Sequence, residues 1–110
     1  MEKFVKGEVV VIRFPFSDLS SSIKRPALVV ANLQGDDVIL CEITSKERIN
    51  SENIKLSKRD FQKGNLKIDS FIRPERLFTL RKTIILSKIA IINRIKIKEV
   101  ENKLCEIFTR

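Results

Sequence analysis

Residues 8–31 read EVVVIRFPFSDLSSSIKRPALVVA, and the order of apolar and polar runs within them decides the fold. Glu8 to Phe14 is a β-branched run without the three- or four-residue apolar spacing of a helix, so it reads as a buried strand that Pro15 ends. Ser17, Asp18, Ser20, Ser21 and Ser22 make the next stretch a polar loop. A second buried strand runs from Arg25 to Ala31. It is preceded by Lys24 and carries Arg25 and Pro26 at its mouth, where a charge on a rigid strand is positioned rather than merely solubilising.

Working outward, "LQGDD" is a turn with Gly35 at its positive-φ position, and "DVILCEI" after it should pair antiparallel with the second strand. Thr44 and Ser45 lie where this third strand runs out into a polar loop. "NIKLSK" alternates apolar and polar residues as a short half-buried strand does. Gly64-Asn65 marks a turn, and "SFIRPERLFTL" is extended through Arg73 because Pro74 disfavours helix at the residue before it. "KIAIIN" is a last buried strand. Ile97, Val100, Leu104, Ile107 and Phe108 then fall at helical spacing, giving a C-terminal amphipathic helix. Five or six strands, one helix and no βαβ alternation indicate a small antiparallel barrel or twisted sheet. A chain of 110 residues is one domain, residues 1–110, able to bury roughly two-thirds of its unfolded surface.

Composition removes several function classes. The chain has no histidine, so acid–base chemistry near neutrality must use another group. Its two cysteines, Cys41 and Cys105, lack metal-ligand spacing and read as reduced core residues. No metal or other cofactor is expected. The N-terminus has no signal-peptide run and no segment is apolar enough to span a membrane, so a cytoplasmic protein is expected. The net charge of +8 favours a polyanionic partner. Seven basic residues and no acid fall between Arg76 and Lys98; taken alone, such a run is a solvated face.

"KGEVVVIRFPFSDLSSSIKRPALVVA" resembles the N-terminal signature of the MazF/PemK toxins: glycine then an acid, a β-branched strand, F-P-F with a polar loop, then K-R-P-A and an apolar strand. "EITS" at Glu42–Ser45 is similar to the second motif of that family and "SFIRPERLFTL" to its third. The resemblance implies an SH3-like barrel of the MazF/PemK (CcdB-like) type. It implies a type II toxin that is a homodimer, is silenced by a cognate acidic antitoxin, and acts without metal as a sequence-specific endoribonuclease on single-stranded messenger RNA. The implied reaction is attack of a ribose 2′-oxygen on the adjacent phosphorus, leaving a 2′,3′-cyclic phosphate and a 5′-hydroxyl.

The residues can be weighed against that chemistry. Negative charge gathers on the pentacoordinate phosphorus, and Arg25, planar and permanently cationic, is suited to stabilise it; an ion pair with a nearby carboxylate is the plainer role for the same side chain. Thr44 matches the family's active-site hydroxyl, able to donate to a phosphate oxygen or hold the attacking 2′-hydroxyl, although β-propensity alone would also put a threonine there. Arg73 and Glu75 fall where some relatives place an assisting arginine and acid. Without histidine, Glu75 is a candidate base, and an ion pair between it and Arg73 or Arg76 competes with that role. Ser17, Asp18, Lys24, Ser45 and Arg76 are candidate RNA contacts. Phe16 and Phe61 are the candidate exposed stacking rings, while Phe14, Phe71, Phe78 and Phe108 fit the core. "TIILSKIAII" between Thr83 and Ile92 exceeds what one small barrel needs, and a twin subunit would cover it. Two further readings share the fold: a CcdB-like toxin that binds DNA gyrase without chemistry, and an inactive member that only binds RNA.

Overall fold

The computed structural model describes residues 3–15, 22–47, 49 and 52–110. The strands are β1 (Glu8–Pro15), β2 (Ser22–Asn32), β3 (Asp37–Thr44), β4 (Ile54–Leu56), β5 (Phe61–Gly64), β6 (Ser70–Arg81) and β7 (Ile85–Ile92), followed by α1 (Arg94–Phe108). Short 3₁₀ turns at Lys58–Asp60 and Lys82–Ile84 precede β5 and β7. All pairings are antiparallel, in the spatial order β4-β6-β3-β2-β1-β7-β5.

Both faces of the central strands are apolar, which is why β1 and β2 read as continuous runs rather than alternating ones. On one face Val10, Ile12, Ala27, Val29, Val38 and Leu40 are fully buried with Phe4. On the other, Val9, Leu28, Cys41 and Ile43 join Ile54 and Leu56 from β4, Ala90 and Ile92 from β7, and Val100 from α1. Strands near opposite edges of the sheet thus share one core, so the sheet is curled into a half-barrel that α1 helps to fill. The helix starts at Asn93, whose side-chain oxygen accepts from the Lys96 N–H at 2.8 Å.

Several expectations need correction. Among the described residues the sheet has seven strands. Residues Phe61–Gly64 form β5, and β6 continues past Pro74 to Arg81. The ladder with β3 passes from Glu42↔Arg73 to Cys41↔Leu77, so residues 74–76 form a bulge, the one place inside a sheet where a proline costs no ladder bond. Cys105 and Phe108 are exposed, Phe108 by 70%, whereas Ile97, Val100 and Leu104 of α1 pack against the core. Cys41 is buried as expected. Gly35 has φ +85°, the left-handed conformation its turn requires.

Candidate active site

β2 and β3 stay paired only as far as Ala27↔Glu42. Beyond that point β2 remains on β1 back to Ser22, and β3 remains on β6 out to Thr44. The two strands therefore part immediately before Pro26, a residue with no N–H to offer a ladder. A cleft of ≈ 310 Å³ opens at the parting, lined by Lys24, Arg25 and Pro26 from β2 and by Ile43, Thr44 and Ser45 from the end of β3. Its far wall is the β5–β6 loop with Leu66, Lys67, Ile68 and Ser70.

Arg25 and Thr44 thus line the same opening from opposite sides of the fork. Arg25 is half-buried, on a strand whose backbone is held by β1, so its guanidinium is presented on a rigid mount. Thr44 is only 5% exposed. Its hydroxyl oxygen accepts from the Lys46 N–H at 3.2 Å, which fixes the side chain and leaves the hydroxyl hydrogen to donate. Lys24 and Ser45 are exposed on the rim. Three cations and no carboxylate line the cleft among the described residues, an electrostatic setting for a phosphodiester.

Arg73, Glu75 and Arg76 are not among these lining residues. Arg73 Nη1 stands 3.5 Å from Glu42 Oε1 and its Nη2 stands 3.3 Å from Glu75 Oε2. Arg76 Nε lies 3.5 Å from Glu42 Oε2. Two guanidiniums and two carboxylates therefore brace β6 against β3 two residue pairs before Thr44. Burial, reinforced by the carboxylates of Glu75 and Glu42, pushes the Cys41 thiol up from its ordinary value, so that sulfur stays a neutral core group.

Ser17, Asp18 and Phe16 lie outside the described residues. Phe61 is half-buried and packs against the core rather than standing free as a stacking ring. The basic stretch from Arg76 to Lys98 is not one open face either. Lys88 pairs with the buried Glu8 at 3.2 Å, and Lys96, its side chain 12% exposed, pairs with Asp60 and Glu99.

A family model described as the PemK-like, MazF-like toxin of type II toxin-antitoxin systems matches residues 5–108. The chain belongs to this family. Among solved structures, an endoribonuclease in complex with its cognate antitoxin from a Mycobacterial species aligns with a TM-score of 0.77 at 14% identity, over 97% of this chain and 96% of that one. A second Mycobacterial endoribonuclease aligns at 0.75 and 16% identity, over 99% and 94%. MazF from Deinococcus radiodurans aligns at 0.72 and 19% identity, over 96% of each chain. At such identities the likeness is one of fold. No curated protein sequence matches the chain.

Within this toxin fold, the sequence had singled out four of the cleft's residues: Lys24, Arg25, Thr44 and Ser45. It had not pointed to the β5–β6 loop, which reaches the cleft only through tertiary packing. Glu42 was also missed as the carboxylate holding Arg73 and Arg76; its place two residues before Thr44, on the same side of the strand, was the available signal. Among the described residues, no helix is long and apolar enough to cross a membrane.

Proposed function

We propose that this toxin-family chain is a metal-independent endoribonuclease that cuts single-stranded messenger RNA at the fork between β2 and β3. The observation that carries the reading is that Arg25 and Thr44, distant in sequence, line one cationic cleft. Lys24 and Lys67 draw the phosphate in. Thr44 donates its hydroxyl hydrogen to a nonbridging oxygen or to the incoming 2′-oxygen and so sets the line of attack. As the 2′-oxygen bonds to phosphorus, Arg25 meets the charge that builds on the equatorial oxygens. The 5′-oxygen departs taking a proton from water in the open cleft, and water there accepts the proton of the 2′-hydroxyl. Glu75 and Arg73 act in this reading through the brace on β3, as positioning residues. Ser45 and Arg76 contact the strand outside the reacting phosphate, with Ser17 and Asp18 assigned to the same role from the sequence. The cognate antitoxin is acidic and silences the enzyme by covering this cationic opening.

The expected result is cleavage of single-stranded RNA in excess EDTA, with products carrying 2′,3′-cyclic phosphate and 5′-hydroxyl ends by end-labelling. Intact RNA together with recovery of gyrase from lysate would instead support a binding toxin.

We further propose a homodimer through β7. Ile84, Leu86 and Ile89 are 39%, 45% and 37% exposed. Among the described residues, β5 covers β7 only at Ala90–Ile92, leaving the outer edge of Ile85–Ile89 available to a twin strand. In gel filtration at micromolar concentration the protein should elute at twice its 12.7 kDa, and Leu86→Asp should shift it to the monomer.

A further inference from the structure

An RNA strand presents a charged backbone and, beside it, the apolar faces of its bases. The cleft is divided in the same way. Lys24, Arg25 and Lys67 supply charge, while Pro26, Leu66 and Ile68 supply apolar surface. No aromatic side chain lines it among the described residues, so the apolar surface that these residues offer a base is aliphatic.

Ile68 is the unusual member. It is 66% exposed, in a loop whose other apolar residue, Leu66, packs against the main core. Exposure alone would not single it out, since Ile95 is more exposed; what does is its place in the lining of a cationic cleft. Its loop is rigidly presented. At one end Gly64 passes so close to β7 that a Cβ there would lie 2.5 Å from the Ile89 carbonyl oxygen. At the other, the buried Ser70 donates its hydroxyl to the Ile68 carbonyl oxygen at 2.9 Å, and Ser70 is itself held in register with Leu56 of β4. The shelf is therefore preformed, and a ligand need not order it on binding.

We propose that Ile68 is a base-binding residue: its side chain, with Leu66 and Pro26, takes the face of a nucleobase next to the phosphate held by Arg25. This rests on the reading that the cleft holds RNA. It adds that affinity depends on a base at that position and not on phosphate charge alone. Lys67, adjacent in the loop, supplies the neighbouring phosphate contact.

The test compares two uncleavable decamers of equal charge, both with fluorine in place of the 2′-oxygen: a random-sequence pool and its abasic counterpart. Because nothing is cut, the result does not depend on whether the chain is a nuclease. Fluorescence anisotropy should show wild type binding the base-bearing pool about tenfold more tightly than the abasic one. Ile68→Ser should cut that ratio severalfold without changing affinity for the abasic decamer, and Ile68→Phe should keep the preference. Ile95→Ser, altering an isoleucine 81% exposed on α1, should behave as wild type. The proposal is overturned if Ile68→Ser keeps the wild-type ratio, if it weakens both ligands equally, if Ile95→Ser matches it, or if wild type does not distinguish the two decamers.

Discussion

Replacing Arg25 by alanine should lower kcat/KM for RNA cleavage by about 10²–10³, the usual loss on removing one preorganised transition-state donor. The loss should fall mainly on kcat, because the charge Arg25 meets is greatest on the pentacoordinate phosphorus and smaller on the ground-state diester. The other cations of the cleft, Lys24 and Lys67, remain to bind substrate, so KM should rise less. Arg25→Lys should recover only part of the rate, since an ammonium keeps the charge and loses the planar fork that meets two oxygens at once. Circular dichroism and the urea midpoint should stay near wild type in both variants. The half-buried Arg25 side chain lies at the open end of the fork, outside either buried core. A kcat near wild type in Arg25→Ala would remove the guanidinium from the mechanism. A fall confined to KM would make it a binding residue only.

The parts of the molecule that were legible in the sequence are those whose burial is set by neighbouring strands on both sides. β1, β2 and β3 occupy the middle of the sheet, and the burial of their central residues on both faces writes itself into runs of valine, isoleucine and leucine. β5 lies at the sheet edge with one half-buried residue in four, so Phe61–Gly64 carries no pattern to find. Pro74 marks only part of its strand. Its effect on Arg73 is real, and β6 is extended there, but the bulge lets the strand resume beyond it. On α1 the spacing of apolar residues is helical to the end, but the residues that pack against the core are Ile97, Val100 and Leu104, and Phe108 faces solvent. The same distinction divides the candidate site. Lys24, Arg25, Thr44 and Ser45 flank a fork in consecutive strands and were visible as motifs. Leu66, Lys67 and Ile68 close the cleft from the far side, and nothing local in "GNLKIDS" says which cleft that loop will face.

That loop depends on one backbone position, and Gly64→Ala should destabilise the protein by about 2–4 kcal/mol, from roughly 1 kcal/mol for a left-handed alanine plus 1–3 kcal/mol for forcing a methyl into closed space. Gly64 has φ +69°, and its added Cβ would meet the Ile89 carbonyl oxygen at 2.5 Å and Ala90 Cα at 3.1 Å. Both atoms are backbone of β7, so no rotamer change relieves the contact; either β5 or the start of the β5–β6 loop must move. Gly35→Ala provides the matched comparison. Gly35 has φ +85° but nothing within 4 Å of the new methyl, so it should lose only about 1 kcal/mol, the conformational part alone. Urea denaturation of the two variants separates strain from collision, and the melting midpoint of Gly64→Ala should fall by about 10 °C or more. Equal losses at the two positions would mean that the approach of β5 to β7 is not tight. The rigid presentation of Leu66, Lys67 and Ile68 would then rest on the Ser70 hydrogen bond alone.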